Sequence, residues 1–441
     1  MAGSFWLETL GCPKNEVDSD KLVGQLLAEG YVQADDPDAA ELVVVNTCAF
    51  IEAAREESIE TILAFSDSKR DGARLVVTGC MAERYGEELA DALPEVDLIA
   101  GFGQSLTAPT PTRVALSATR DGQANEVLLE LPRSQATGPW AYVKVAEGCD
   151  RRCGFCAIPT FRGNQRSRSG PAILTEIEQL SANGSKEVVL IAQDLASWAL
   201  DRKGNGEAIE VLDLNHPSRQ PLVDLVNQAA TAIERVRLLY LYPSGLTEEL
   251  IDAVLATGVP YFDLSLQHAS APHLRRMRRW GNAEKFLDRI AAIRSVQPDA
   301  TFRSSFIVGY PGETEEDHDE LMAFLEAAQL DWAGFFTFSN EDGTYAAGLD
   351  HHVAPELMWE RIGEASAAQD EITMAKRDAM VGQTYQVLVD SPGVARSVHE
   401  APEIDGIIEV DASLLPGSFV DVVITESLGT DLVGNEVEKK A

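Results

Sequence analysis

The sequence predicts a multidomain α/β protein: an open parallel α/β domain at the N-terminus, a partial (βα)6 TIM-like barrel in the middle and a small C-terminal β-barrel. Three observations lead there. Short β-rich apolar runs alternate with helical patterns over most of the chain, as parallel βα units require. The alternation is interrupted by a polar stretch from Arg120 to Pro139. After residue 380 the helical patterns stop, and strand-like runs follow one another between Pro and Gly turns. A chain of 441 residues exceeds what one hydrophobic core usually organises, and these breaks put the domains at 1–130, 135–375 and 380–441.

In the first domain, runs at 5–10, 41–47 and 74–79 are each followed by helical spacing, as in Leu22, Val23, Leu26 and Leu27, and 97–100 reads as a further strand. No glycine-rich phosphate loop accompanies this sheet. The second domain has six predicted strands, at 141–146, 187–192, 235–241, 261–267, 301–309 and 332–339. Helical patterns lie between them at 172–182, 222–233, 248–256, 283–295 and 316–328. Six units stop short of the eight that close a barrel. The insert 201–220 reads as a long loop. A helix over 356–380 then leads to strands at 385–390, 406–410 and 419–425.

Lys and Arg number 36 against 71 Asp and Glu, a formal net charge of −35. That field repels a bare phosphate backbone and attracts cationic partners, so free nucleic acid is a poor default ligand. Residues 1–10 show no basic region followed by an apolar core. No apolar run approaches the roughly 18 residues that span a bilayer. A soluble cytoplasmic protein with no membrane partner is expected, and its charge favours a monomer. Six cysteines are too few for a disulfide scaffold in so long a chain, which brings metal binding or redox chemistry forward.

The strongest signal is Gly148-Cys149-Asp150-Arg151-Arg152-Cys153-Gly154-Phe155-Cys156, a CxxxCxxC loop just after the first barrel strand. Three thiolates are one short of a closed zinc site, whereas a cubane held by three cysteines leaves one iron free. A 4Fe-4S cluster is the leading reading, with zinc or inert thiols as alternatives. Ligands of βα barrels gather at the C-terminal strand ends, where Cys149 falls. Phe155 either packs over a bound aromatic ring or is a buried apolar anchor. The remaining cysteines, Cys12, Cys48 and Cys80, each follow a predicted strand. In a parallel sheet those ends share the edge where open α/β folds bind ligands; the alternative is three buried core cysteines.

The CxxxCxxC loop on a partial barrel resembles the radical S-adenosylmethionine (SAM) superfamily, and the preceding three-cysteine domain narrows the resemblance to methylthiotransferases. It covers nearly the whole chain. Gly11-Cys12-Pro13-Lys14-Asn15, the stretch from Asn46 through Cys48 to Ile51, and Cys149 through Arg162 resemble the branch that modifies small-subunit ribosomal protein twelve. The transfer-RNA branch more typically reads Gly-Cys-Gln-Met-Asn at the first position. The resemblance implies two 4Fe-4S clusters. Cys149, Cys153 and Cys156 would hold the SAM-cleaving one, and Cys12, Cys48 and Cys80 an auxiliary one that carries sulfur. One SAM would methylate sulfide, and a second would be cleaved to a radical that takes hydrogen from an unactivated carbon. No side-chain base can deprotonate such a carbon, so a cofactor must supply the chemistry and no acid–base dyad is needed. The radical also calls for a closed, dry site between the first two domains.

By the same resemblance SAM contacts would come from Gln193, Asp194, Gln267, Arg303 and Ile307 to Gly309, and the ring packing open to Phe155 would add to them. Gln267 and Arg303 could equally satisfy a buried polar network. The run from Gly309 to Thr314 reads as a strand-to-helix turn with a capping function, and His268 as a hydrogen-bonded structural residue. Arg275, Arg276, Arg278 and Arg279 read as a solvated helix face, or as a contact for RNA or an acidic neighbour. Arg162, Arg166 and Arg168 could steer an acidic substrate side chain or an electron donor.

The C-terminal module resembles the TRAM domain, which binds RNA in relatives and is expected to be basic. Here residues 380–441 hold three basic and eleven acidic residues. That charge repels a transfer RNA and complements a basic ribosomal protein. The implied activity is methylthiolation of the β-carbon of an aspartate on that protein. An electron donor such as flavodoxin or ferredoxin and a sulfur donor would serve as partners. A tRNA adenosine methylthiotransferase of the same fold is the alternative, and a non-catalytic iron–sulfur or zinc protein the third reading.

Overall fold

The computed structural model describes residues 3–108, 113–115, 129, 131, 133, 138–204 and 220–437. Its first six strands are β1 (Ser4–Thr9), β2 (Val32–Gln33), β3 (Leu42–Thr47), β4 (Arg74–Gly79), β5 (Leu98–Ala100) and β6 (Val114–Ala115). They form one parallel sheet in the order β2-β1-β3-β4-β5-β6. Every residue of β3 is buried, as in a parallel strand covered on both faces. The helices α1 (Pro13–Ala28), α2 (Glu52–Ser68) and α3 (Cys80–Ala92) follow β1, β3 and β4. Pro13 at the first helical position of α1 presets the backbone angle there. The edge strands β2 and β6 have two residues each, too few to show a period in sequence.

The six expected barrel strands are present as β7 (Trp140–Lys144), β10 (Glu187–Ile191), β11 (Arg235–Leu238), β12 (Tyr261–Gln267), β13 (Thr301–Val308) and β14 (Trp332–Thr337). A small hairpin, β8 (Ala146–Glu147) with β9 (Arg166–Ser167), brackets the cysteine loop. Strands β7, β10 and β11 form one parallel sheet and β12, β13 and β14 another. A bridge between Leu241 and Leu264 joins them, with the Leu241 N–H donating to Asp263 O at 3.0 Å. The strands thus run in chain order around an open wall. Along β13, Phe302, Phe306 and Val308 pack outward against Leu321 and Phe324 of the helix Glu315–Ala328. Thr314 caps that helix in a capping box with Asp317, the role expected of the turn. The insert opens with a short helix, Leu200–Gly204; residues 205–219 lie outside the described residues.

A second apolar cluster fills the inside of the wall. It joins Tyr142, Val189, Ile191, Leu239, Tyr261 and Trp332 to Val17 of α1 and Ala401 from the C-terminal module. A 26-residue helix, Pro355–Met380, roughly 39 Å long at 1.5 Å per residue, leads to that module. Its closed barrel runs β15 (Thr384–Ser391), β16 (Val394–Arg396), β17 (Ile408–Glu409), β19 (Asp431–Glu436), β18 (Phe419–Leu428). The segment 397–407 between β16 and β17 plugs the end of the wall where its strands begin. Trp332 Nε1 donates to His399 O at 3.0 Å, and Tyr261 Oη to Asp405 at 2.5 Å. Ionic groups sealed there are paired, because an unpaired buried charge is costly: Glu187 meets Arg237 at 2.7 Å and Arg396 at 3.3 Å, and Glu400 meets Arg377.

Burial alone would raise the Glu187 carboxyl, but Arg237 and Arg396 outweigh it and hold the group down at about 2. A carboxylate depressed in the folded state stabilises fully above its unfolded value of about 4.3 and loses that contribution as pH falls towards 2. Glu187→Gln should therefore unfold at lower urea concentration than the wild type at pH 6, by roughly 3–5 kcal/mol. The gap should narrow steadily below pH 4; a gap independent of pH would place the effect outside this ion pair.

Candidate functional site

The first three cysteines reach one sheet edge through parallel register. Thr9 pairs with Asn46 and Thr47 with Gly79, so the turns that follow β1, β3 and β4 emerge side by side. Cys12 is the N-cap of α1, Cys48 follows β3, and Cys80 opens α3. Gly11 has a φ of +97°, and a Cβ there would stand 2.7 Å from Cβ and 2.9 Å from Sγ of Cys48; only glycine lets these two turns meet. Asn15 fixes the edge from behind. Its Nδ2 donates to Leu10 O at 2.8 Å and Thr47 O at 3.0 Å, and its Oδ1 lies 3.6 Å from Cys80 Sγ.

The second triad sits in the loop bracketed by β8 and β9. Cys149 N donates to Gly163 O at 3.0 Å. Gly148 has a φ of +78°, and a Cβ there would fall 2.1 Å from Asn164 O. Cys149, Cys153 and Cys156 line a cavity together with Phe155, Gln193 and Gln267. Tyr240, Tyr242 and Arg279 also line it. Tyr240 and Gln267 have φ of +65° and +73°, a strain that non-glycine residues hold mainly at functional sites.

The sulfur atoms already receive donors suited to thiolates. The Arg151 N–H points at Cys149 Sγ (3.4 Å), Arg279 Nη1 at Cys153 Sγ (3.3 Å) and Arg162 Nη2 at Cys80 Sγ (3.0 Å). Burial nevertheless pushes the Cys80, Cys149 and Cys156 thiols up to about 12, and Cys48 upward too. A metal that binds them replaces the thiol proton. Among the described residues no three His, Cys, Asp or Glu side chains could hold a single metal ion. Each triad supplies three thiols, one short of a closed zinc site, a number that suits a cluster in which each thiolate meets its own iron.

One buried network joins the two triads. Arg162, 3% exposed, donates through Nη2 to Asn15 Oδ1 at 2.6 Å and through Nη1 to Glu147 Oε2 at 2.9 Å. Glu147 also accepts from Lys144 and from Gln193 Nε2, both at 2.7 Å, and Lys144 pairs with Asp18 of α1. Burial would raise the Glu147 carboxyl, but Arg162 and Lys144 hold it well below the carboxylate range. From the first domain Lys14 also reaches the cavity wall, its Nζ 3.1 Å from the centroid of the Tyr240 ring.

Phe155, Gln193 and Gln267 are thus brought together with the CxxxCxxC thiols, whereas Arg303 and Gly309 are not among the residues lining the cavity. Arg303 pairs with Asp263 and Asp405, both at 3.4 Å, the buried network left open as its alternative. Gly309 makes the turn, and a Cβ there would strike Met358 Sδ at 2.2 Å. Asp194 pairs with Arg151 at 2.6 Å. His268 is buried, 3.6 Å from Glu313. Arg279 is a correction to the solvated-face reading: it is 9% exposed and stacks on Tyr242 at 4.0 Å. Sequence reasoning missed Lys14, Glu147, Tyr240 and Tyr242. The one available signal for Glu147 was its place with Lys144, two charges in the otherwise apolar run that leads into the cysteine loop.

Comparison with known proteins gives three family matches: "Uncharacterized protein family UPF0004" over residues 4–101, the radical SAM superfamily over 143–325 and the TRAM domain over 381–437. The chain is 41% identical to the ribosomal protein uS12 methylthiotransferase RimO of Cutibacterium acnes, over 97% of this chain and 96% of that protein. It is 42% identical to the protein of that name from Moorella thermoacetica, over 95% of each. Its fold is similar to that of the radical SAM methyltransferase TsrM from Kitasatospora setae, with a TM-score of 0.51, 16% identity and coverage of 92% and 82%.

The close approach at Gly148 is open to a direct test. In metal-free protein, Gly148→Ala should expose Cys149, 8% accessible in the wild type, and raise its maleimide labelling rate about tenfold or more, given ~2 kcal/mol of backbone strain. An unchanged rate would mean that the loop tolerates a side chain there.

Proposed function

The chain belongs to the ribosomal protein uS12 methylthiotransferase family, and from that premise we propose that it adds a methylthio group to the β-carbon of an aspartate of that ribosomal protein. One SAM serves as methyl donor and a second as radical source. The observation that carries this reading is the buried path from Cys80 through Arg162 and Glu147 to Gln193. It sets a sulfur-rich sheet edge against the mouth of a radical SAM barrel, which is what a transfer of sulfur to a radical carbon needs.

In this reading Cys149, Cys153 and Cys156 hold a 4Fe-4S cluster, with SAM beside it against Phe155, Gln193 and Gln267. Cys12, Cys48 and Cys80 hold the second cluster. When bound, the first cluster supplies the electron that cleaves SAM reductively, chemistry no side chain provides. The protein's own groups do the rest. Arg279 and the Arg151 N–H donate to sulfur, Tyr240 and Tyr242 wall the cavity against water, and Arg162 fixes the first domain against the barrel. Residues 1–130, 135–375 and 380–441 act as sulfur-carrying, radical-generating and substrate-recognising domains.

Charge supports the choice of substrate. Among the described residues of 381–437 the one Lys or Arg is Arg396, and it is buried. Glu403, Glu409, Asp411, Asp421, Glu426 and Glu436 are exposed. Such a surface complements a basic ribosomal protein and repels transfer RNA. Among the described residues no helix is long and apolar enough to cross a membrane. The working state proposed is a cytoplasmic monomer served by an electron donor, such as flavodoxin or ferredoxin, and a sulfur donor.

Mass spectrometry of ribosomal protein uS12 from strains with and without the gene tests the substrate, with transfer-RNA nucleosides run in parallel. The aspartyl methylthio group should vanish in the deletion strain and the nucleosides stay unchanged; the reverse result would move the protein to the transfer-RNA branch. Replacing Cys12, Cys48 and Cys80 together by Ala should lower bound iron from about eight to about four atoms per chain. SAM cleavage should persist while sulfur insertion stops. Loss of cleavage would contradict the division of labour between the triads.

A further inference from the structure

Lys14 is nine-tenths buried, yet the one contact the structure gives its ammonium is the face of Tyr240, at 3.1 Å. The neighbouring carboxylates are taken. Asp263 receives Arg303 and the Tyr240 N–H, at 3.4 and 2.9 Å. Glu147 receives Arg162, Lys144 and Gln193. Asp18 receives Lys144 and Arg162. Among the described residues no hydrogen bond or ion pair is formed by the three donors of Lys14.

A buried ammonium without an acceptor is unfavourable, and a cation–π contact compensates only in part. The position is informative. Lys14 lies two residues from Cys12, and Tyr240 lines the cavity that also holds Cys149, Cys153 and Cys156. An anion at that point would stand between the two triads. On this basis, and resting on the function proposed above, we propose that Lys14 seats the carboxylate of the substrate aspartate. The β-carbon is bonded directly to that carboxylate, so fixing one fixes the other, and orientation of this kind is what a hydrogen abstraction requires. The SAM carboxylate offers the same chemistry. The aspartate is favoured because Lys14 belongs to the sulfur-bearing sheet edge rather than to the CxxxCxxC loop.

The test uses anaerobically reconstituted enzyme with SAM and two fluorescent peptides of the uS12 target loop, one carrying the modified aspartate and one carrying Asn in its place. By fluorescence anisotropy the wild type should prefer the Asp peptide about tenfold to a hundredfold, the range for a charge-assisted hydrogen bond. Lys14→Met should bind both peptides alike, and Lys14→Arg should keep the preference. Iron content and circular dichroism qualify each variant, with Lys14→Gln as substitute if the Met variant does not fold. A preference retained in Lys14→Met overturns the proposal, as does an equal weakening of both peptides. Weakened SAM binding with the Asp preference intact assigns Lys14 to the SAM carboxylate instead. A wild type that binds neither peptide overturns the substrate reading itself.

Discussion

The Arg162 guanidinium is the junction on which the rest of the site depends. It is buried, and within reach of its nitrogens lie a cysteine sulfur of the first domain, an asparagine of the same sheet edge, and the carboxylates of Asp18 and Glu147. Burial opposes its charge, but Cys80, Glu147 and Asp18 outweigh that and raise its pKa well above the usual arginine value. A buried ionic cluster is tolerable only when each member is satisfied. The network therefore admits one placement of the sheet edge relative to the barrel mouth. A second clamp helps hold it: Glu341, 2% exposed, meets Arg55 at 2.6 Å and Arg84 at 2.8 Å. Two such clamps make the distance between the triads a property of the fold rather than of a flexible linker.

A six-stranded wall also has to be closed from elsewhere. At the end where the strands begin, the segment 397–407 supplies Ala401 to the inner cluster and backbone carbonyls to Arg237 and Trp332. The strained backbones of Tyr240 and Gln267 sit at the opposite end, the one that bears the cysteines. The C-terminal module thereby has two roles, sealing the barrel with one segment and presenting acidic residues outward with its strands.

Much of this was readable without coordinates. The six barrel strands were legible because each is a run of β-rich residues bounded by helical patterns, and the glycines next to Cys12, Cys80 and Cys149 mark the turns that carry the thiols. Strand β16, three residues long, and β19, with Gly434 and polar neighbours, gave no such period. Arg279 shared its run with three other arginines, so composition pointed to a solvated face; the turn at Arg278, with a φ of +55°, carries the chain round so that the next side chain enters the cavity.

The sequence alone determined the three-part architecture, the identity of the six thiols and the acidic character of the C-terminal module, because all of these are local: spacing, period and charge survive in one dimension. Only the tertiary structure decided how the triads are joined and which polar groups line the cavity. Arg162, Glu147, Lys144 and Asp18 are separated by up to 144 residues in sequence and have no shared period. They become one site only because burying several charges together leaves no arrangement stable except the one in which they satisfy each other.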